Sequence, residues 1–268
     1  MAYPSKIVLE AFGLKDGLKP LPGGQGESFH SGNAVLKPAH DPIEAEWSAQ
    51  VFSALASSSH RDFHVPTPIL ASNSQFVFQG WAASEFVAGR AGPGGKWVEL
   101  MGTSRFFHAA LQGIPNPDFL SHRSHPWAVA DQVAWGEASV DVVPELQCVY
   151  QELLKLRKNV KMTSQIVHGD LTGNMLFRDD GTPPTVIDFS PFWRPVEYAE
   201  AIVIVDGILD HDQGRDLVKL GGTSFECLQM LVRALIFRLV ARSRLVAVMG
   251  EVTKEYAGAF ERAVLFIS

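Results

Sequence analysis

The spacing of apolar residues changes along the chain, from the short alternation typical of strands to the longer period typical of helices. A short helix is predicted over residues 5–12, which begins at a serine able to cap it and ends before a glycine. Gly32-Asn33 predicts a hairpin turn between two short strands, and Pro42 opens a longer helix. Two further strands flank Gln79-Gly80. The first third of the chain is therefore predicted to be rich in strands, with one main helix.

Beyond Gly89 the pattern becomes mostly helical. Helical spacing covers Trp97 to Leu111, Trp127 to Trp135 and Gln147 to Leu156, and a strand–turn–strand is predicted over residues 166–189. The final stretch carries the apolar stripe of another helix. This change predicts an α+β protein with a small β-rich part and a larger helical part. We expect the two to join near residues 84–90 and to enclose a cleft, a common kind of ligand site.

Composition and charge narrow the classes of function. The 268 residues are 46% hydrophobic and carry a formal net charge of −6, which argues against nonspecific binding to nucleic acid or anionic lipid. The apolar stretch at 199–205 is too short to span a bilayer, and the stretch at 231–241 contains two arginines. The N-terminus lacks the pattern of a signal peptide. We therefore expect a cytoplasmic protein without a membrane partner, in which Cys148 and Cys227 are buried thiols.

The strongest candidate chemistry lies between residues 166 and 189. Apolar pairs flank His168-Gly169-Asp170, with Asn174 four residues after Asp170, and Asp188 follows eighteen residues after it. A hairpin through Asp180-Gly181 would bring Asp188 back beside Asp170 and Asn174. Carboxylate and amide oxygens are hard donors suited to Mg²⁺, and phosphoryl transfer needs such a set. The alternative is that Asp170 and Asn174 are turn residues that satisfy local backbone groups.

These residues resemble the aminoglycoside phosphotransferase and choline kinase group of the protein-kinase-like superfamily. The resemblance implies a bilobal fold, with a nucleotide-binding N-lobe over residues 1–84 and a catalytic C-lobe over residues 85–268. It implies that Asp170 is the catalytic base, that Asn174 and Asp188 bind magnesium, and that His168 braces the catalytic loop. In the family the Asn usually stands five positions after the catalytic Asp, so the loop here is one residue shorter.

The resemblance also assigns nucleotide-binding residues in the first third of the chain. The segment around Gly24 and Gly26 would be a glycine-rich phosphate loop, and Lys37 would be the strand lysine that holds phosphates. That lysine would pair with a helical glutamate, either Glu44 or Glu46, of which we prefer Glu46 because it lies deeper in the helix. Ser84 and Phe86 would offer backbone groups to adenine in the hinge, although an ordinary edge strand is the alternative.

Candidates for contact with the acceptor lie near the catalytic loop in the family, at residues 122–127, 192–195 and 206–212. His122 and His125 are predicted to be loop residues rather than zinc ligands. Arg194 is predicted either to contact substrate or to pair with a carboxylate. The acidic residues at 206, 210 and 212 could attract a cationic acceptor, but such spacing is more typical of a solvated face. The arginines at 233, 238, 242 and 244 are predicted to form the wet side of the last helix.

These observations together predict a small-molecule kinase. It would transfer the γ-phosphoryl group of ATP or GTP, with Mg²⁺, to a hydroxyl group of a small-molecule acceptor. The alternative is a nucleotide-binding regulator without catalysis, since the loop between Asp170 and Asn174 is short. A protein kinase is disfavoured because no Ala-Pro-Glu segment follows Asp188. The identity of the acceptor and the oligomeric state do not follow from the sequence.

Overall fold

The computed structural model describes residues 3–15, 17–21 and 26–267. The chain divides into two compact units. Unit 1 contains the residues up to Gly92 together with Asn174–Phe189, and unit 2 contains Pro93–Gly173 together with the residues from Ser190 onward. The strands are β1 (Lys19–Pro20), β2 (Phe29–Ser31), β3 (Ala34–Pro38), β4 (Pro68–Ile69), β5 (Val77–Phe78), β6 (Trp81–Glu85), β7 (Arg90–Ala91), β8 (Gln165–His168), β9 (Met175–Phe177), β10 (Thr185–Val186) and β11 (Pro191–Arg194).

Most of the described α-helices belong to unit 2, which also contains two 3-10 helices. The α-helices are α1 (Lys6–Ala11), α2 (Pro42–Ala56), α3 (Trp97–Ala110), α4 (Pro126–Trp135), α5 (Pro144–Leu156), α6 (Val196–Asp210), α7 (Phe225–Arg244), α8 (Val246–Met249) and α9 (Lys254–Ile267), with 3-10 helices at Asp118–His122 and Arg215–Gly221. The helices predicted over the first and middle parts of the chain are confirmed, with their ends moved by one to three residues.

Unit 1 is built on an antiparallel sheet in the order β1-β2-β3-β6-β4, with β5 also paired to β6. Gly32 turns the β2–β3 hairpin in the left-handed region, at φ 61°. The Ser5 hydroxyl caps α1 by accepting from the Val8 N–H group. Apolar side chains from α1 and the sheet form one cluster, which contains Val8, Leu9, Phe12, Phe29, Leu36, Ala71, Trp81 and Ala83. This cluster fixes the strands that carry the candidate nucleotide-binding residues.

A second sheet of unit 1 has the order β10-β9-β7. Strands β9 and β10 form the antiparallel hairpin that the sequence predicted, with Thr185 opposite Leu176 and Val186 opposite Met175. The other side of β10 is bridged to His64, whose N–H and carbonyl groups bond Pro184 and Val186. The hairpin therefore belongs to unit 1, although it lies far from the other residues of that unit in the sequence.

Unit 2 is mainly helical, with the two-stranded sheet β8–β11 next to the predicted catalytic segment, residues 168–170. Helix α6 is buried from Tyr198 to Leu209, since α3, α7, α9 and β8 all pack against it. Helix α7 is likewise enclosed by α4, α5, α6 and α9. A helix that is apolar all round belongs inside a helical core. Among the described residues, no helix has the length and apolar character needed to cross a membrane.

Two sequence-based expectations concern the fold itself, namely the boundary at residues 84/85 and the burial of the cysteines. The division after Gly92 places the expected boundary at residues 84/85 within β6, a strand hydrogen-bonded to β3 on one side and β4 on the other, so unit 1 continues past it. The prediction that both cysteines are buried is wrong, because Cys148 is exposed on α5 and Cys227 is partly exposed near the start of α7. Both are free thiols.

Candidate active site

The β9–β10 hairpin positions the two predicted magnesium ligands. Its ladder continues one step beyond the strands, where the Ile187 N–H group donates to the Asn174 carbonyl at 2.9 Å. Asn174 thus stands immediately before β9, and Asp188 follows its backbone partner, Ile187. The prediction that a hairpin brings Asp188 back towards Asn174 is confirmed at the level of the backbone.

Asp188 has an unusual backbone conformation for a residue with a side chain. Its φ of 55° lies in the left-handed region, which aspartate and asparagine tolerate better than most residues. The next residue, Phe189, stacks on two aromatic rings of α2, with centroid distances of 5.9 Å to Trp47 and 5.5 Å to Phe52. These contacts hold the chain on one side of Asp188, and the hairpin holds it on the other through Ile187.

Lys37 meets Asp188 directly. Lys37 lies on β3 opposite Ala82 of β6, and its Nζ atom is 2.9 Å from Asp188 Oδ1. The side chains are 33% and 50% exposed, so both retain access to solvent and to a ligand. The structure therefore joins a residue predicted to hold phosphates to one predicted to hold magnesium, and both belong to unit 1. Hard oxygen donors on a partly exposed turn fit Mg²⁺, which usually keeps several waters when protein carboxylates bind it.

Glu46 does not have the position expected of a partner for Lys37. Its Oε2 atom accepts from the Phe76 and Val77 N–H groups, both at 2.9 Å. The carboxylate thereby fixes the start of β5, since one oxygen serves two consecutive donors. The ion pair that the described contacts give Lys37 is with Asp188.

The structure describes three of the four other residues predicted to contact the nucleotide. Gly24 lies outside the described residues, whereas Gly26 is partly exposed and has a φ of 73°, a conformation that suits glycine. Ser84 lies between Val35 and Pro68 in the sheet, so it is not in an edge strand. The Phe86 N–H group donates to the Asn33 carbonyl at 2.8 Å, and the Phe86 ring packs against His30 at a centroid distance of 4.2 Å.

In unit 2, Asp170 follows β8 and is held by a chain of histidines. The Asp170 N–H group donates to His168 Nδ1 at 3.1 Å, and the His168 N–H group donates to His108 Nε2 at 3.0 Å. His108 Nδ1 lies 3.2 Å from the Ser104 hydroxyl on the same helix, α3. Burial, reinforced by the neighbouring His168, lowers the pKa of His108 to about 3. A neutral His108 is consistent with its role as acceptor, and His168 braces the loop as the resemblance implied.

The Asp170 side chain pairs with an arginine that the sequence analysis placed in solvent. Arg238 on α7 donates through Nη2 to Asp170 Oδ1 at 2.8 Å and forms two further bonds to Asp206 on α6. The prediction that the α7 arginines form a wet face is wrong for Arg238 and for Arg233, which are both largely buried. An arginine next to an apolar stripe has the same sequence pattern whether it faces solvent or pairs with a buried carboxylate. The pattern alone therefore does not distinguish the two cases.

Gly169 is constrained by packing rather than by its backbone angles. A Cβ atom at this position would lie 2.5 Å from the Phe192 ring on β11. The Gly169 N–H group also donates to the Ser190 carbonyl at 2.9 Å, which extends the β8–β11 pairing. The glycine between His168 and Asp170 therefore allows β11 to cover the catalytic segment closely.

The remaining acceptor candidates have mainly structural contacts. Arg194 pairs with the carboxylates of Asp131 and Glu137, at 2.7 and 2.8 Å, which answers the question that the sequence left open. His125 Nδ1 caps α4 by accepting from the Ala128 N–H group. Asp206 is buried and bonds Arg238, which is a structural role, whereas Asp210 and Asp212 are exposed, as a solvated face requires.

Comparisons with known proteins agree on the family and the fold. A model described as the phosphotransferase enzyme family matches residues 18–191. A search of curated proteins finds no match. Similar solved structures include a microcompartment-associated aminopropanol kinase (15% identity, TM-score 0.63, 97% of this chain and 93% of that one). They also include the choline kinase of Streptococcus pneumoniae (8%, 0.62, 97% and 95%) and an aminoglycoside phosphotransferase of Alicyclobacillus acidocaldarius (14%, 0.59, 99% and 92%).

The β-rich N-terminal part, the helical C-terminal part and these structural matches confirm the predicted α+β, protein-kinase-like fold. The match to the family model extends from β1 to the start of β11 and includes Lys37, Asp170, Asn174 and Asp188. Because that match covers more than half of the chain, the protein belongs to the phosphotransferase enzyme family.

Proposed function

We propose that this protein transfers the γ-phosphoryl group of ATP to a hydroxyl group of a small molecule. The observation that carries the proposal is the 2.9 Å contact between Lys37 and Asp188, since phosphoryl transfer needs a cation and a metal-binding carboxylate together at the phosphates. Asn174, at the base of the same hairpin, would complete the protein's ligands to magnesium. Bound Mg²⁺ would supply charge neutralisation at the phosphate oxygens.

The donor is proposed from the ligands of similar structures. A spectinomycin phosphotransferase of 13% identity was solved with ADP and spectinomycin and also with AMP. A further neighbour, of 16% identity, was solved with ADP and hygromycin B. These are adenine nucleotides, which favours ATP over GTP as the donor here. The acceptors named for these neighbours are small molecules, which favours the same class for this chain.

Asp170 is the proposed base. Its carboxylate would orient the acceptor hydroxyl and take its proton as the hydroxyl oxygen bonds to the γ-phosphorus. The bond between that phosphorus and the oxygen that bridges it to the β-phosphate would break, and ADP would leave. His168 and His108 would contribute indirectly, because they fix the backbone of Asp170 through its N–H group.

Two variants test these roles. Asp170→Asn and Asp188→Ala should each nearly abolish nucleotide consumption in a screen of hydroxyl-bearing metabolites and aminoglycosides. Of these two variants, only Asp188→Ala should strongly weaken Mg²⁺-dependent ATP binding, measured by thermal shift, because Asp188 is a proposed metal ligand and Asp170 is not. Asp180→Ala is a matched control, since Asp180 lies in the turn of the same hairpin and pairs with Arg178. Undiminished turnover by Asp170→Asn or Asp188→Ala would falsify the proposal.

A nucleotide-binding regulator without catalysis is the second candidate. The four-residue spacing between Asp170 and Asn174, where the family usually has five, favours it. The same screen separates the two candidates. Mg²⁺-dependent ATP binding without transfer to any acceptor would support the regulator, and transfer to one acceptor would exclude it.

A further inference from the structure

Arg238 joins two carboxylates that come from different elements of unit 2. Its Nε and Nη2 atoms donate to the two oxygens of Asp206, at 2.6 and 2.7 Å. Nη2 also donates to Asp170 Oδ1 at 2.8 Å. The guanidinium thus forms a bidentate contact with Asp206, and one of the two nitrogens of that contact, Nη2, also donates to Asp170. Such planar, two-point contacts fix orientation as well as distance.

The three side chains differ in burial, which shows which of them are fixed in the core and which one faces solvent. The Asp206 side chain is 7% exposed and that of Arg238 is 15% exposed, whereas that of Asp170 is 47% exposed. Burial raises the pKa of Asp206 and Arg238 opposes that increase, while the two carboxylates raise the pKa of Arg238 despite its burial. Asp206 and Arg238 therefore form a buried ion pair within the helical core, and Asp170 is the one of the three residues that faces outward.

Helix packing does not require this third contact. Helices α6 and α7 already pack along apolar residues, and the fork to Asp206 gives Arg238 a buried counter-charge. Arg233, one turn earlier on α7, shows a purely structural alternative, because it bonds Gln229 and the Lys158 carbonyl. The contact of the Arg238 guanidinium with a half-exposed carboxylate narrows the range of rotamers open to the Asp170 side chain.

We infer that Arg238, anchored by Asp206, is a positioning residue that holds the Asp170 carboxylate in one orientation for the acceptor hydroxyl. The inference rests on the proposed function of Asp170. A restrained base gains from orientation, and a misplacement of about 1 Å costs about a hundredfold in rate. The effect belongs to the chemical step, because Arg238 is not proposed to touch the nucleotide.

The test is the division of the effect between kcat and KM. Arg238→Gln should lower kcat by about a hundredfold and leave the KM for ATP within about twofold of the wild type. Arg238→Lys should recover part of kcat, because an ammonium group supplies the charge without the fork. Arg242→Gln is the matched control, since Arg242 lies one turn later on α7 and bonds only the Gly250 and Glu251 carbonyls among its described hydrogen bonds. It should leave kcat unchanged.

Loss of Arg238 alone leaves Asp206 buried without a counter-charge, which is strongly destabilising. If Arg238→Gln does not fold, the double variant Asp206→Asn/Arg238→Gln replaces it, since it removes both buried charges. A folded variant of either kind with kcat within about threefold of the wild type overturns the inference.

A second readout separates this inference from the proposed function. If the wild type transfers phosphate to no acceptor, the proposed function fails, and the contact is then measured by a thermal-unfolding cycle of Arg238→Gln, Asp170→Asn and their double variant. Non-additive shifts in the unfolding midpoint support the restraint on Asp170. Additive shifts overturn it.

Discussion

Asp188 shows how one residue serves two requirements at the candidate site. Its left-handed φ of 55° is a conformation that aspartate tolerates better than most residues, and its side chain reaches Lys37. The ion pair is partly exposed, so it contributes at most about 1 kcal/mol to stability. The conformation and the charge are therefore separable by substitution.

Variants at residue 188 should differ in stability according to how well the new residue tolerates a positive φ. Their activity should instead depend on whether the negative charge is kept. Asparagine also tolerates this conformation, so the free energy of unfolding of Asp188→Asn should lie within about 1 kcal/mol of the wild-type value, although the variant loses activity. Asp188→Val places a β-branched residue at positive φ and should lose about 1–2 kcal/mol more. Urea unfolding measures both variants. Equal stability of the two would contradict the assigned backbone strain.

His108 links the catalytic segment to pH. Its pKa is lowered by burial to about 3, from 6.5, so the unfolded chain binds one more proton than the folded chain between these values. The stability that this difference provides is complete above about pH 6.5 and declines as the pH falls towards 3. Each pH unit within this window costs about 1.4 kcal/mol.

Removal of this titration should flatten the acid side of the stability curve. His108→Gln keeps an acceptor for the His168 N–H group but does not ionise. Between pH 7 and pH 5 the wild type should lose about 2 kcal/mol more than the variant in urea unfolding. The same loss in both proteins would show that His108 does not supply the pH dependence.

At the scale of elements, the β8–β11 pair places one ring over the catalytic segment. Phe192 occupies the space that a side chain at residue 169 would need, with 2.5 Å to the nearest ring atoms. The pair is antiparallel and runs from Pro191 opposite His168 to Arg194 opposite Gln165. The Phe192 ring therefore packs directly against the backbone of Gly169, and a side chain at residue 169 would displace that ring.

Gly169→Ala should therefore be destabilising by about 1–3 kcal/mol, as expected when a methyl group is forced into a packed site. The double variant Gly169→Ala/Phe192→Leu should recover part of that loss, because leucine leaves room where the ring stood. Thermal unfolding of both proteins checks this coupling. Additive losses would mean that the alanine methyl group is accommodated without displacing Phe192.

Local patterns predict these elements to different degrees. The turns at Gly32-Asn33 and Asp180-Gly181 were predictable because glycine and its polar neighbour specify a hairpin within a few residues. Strand β11 was missed, since proline residues flank its few residues and its partner, β8, lies 23 residues earlier for the Pro191–His168 pair. The helices α3 and α5 were predicted from periodicity alone.

At the scale of the whole molecule, the sequence reveals the proposed catalytic motif but not the residues that support it. Lys37, Asp170 and Asp188 are recognisable because their neighbours match a known pattern. Arg238 and His108 are not, because they reach the catalytic segment from 68 and 60 residues away. The grouping of the hairpin Asn174–Phe189 with unit 1, after a long helical stretch, is likewise not visible in the sequence pattern. Long-range contacts of this kind leave no local periodicity to read.

The central claim is that the protein moves a phosphoryl group from ATP to a hydroxyl group. The most direct measurement is ³¹P NMR of Mg²⁺, ATP and the acceptor identified by the screen, with wild type and Asp170→Asn compared at equal concentration. The account predicts a new phosphomonoester resonance with one ADP formed for each product in the wild type, and neither with the variant. Equal product formation by Asp170→Asn, or release of inorganic phosphate alone by the wild type, would contradict it.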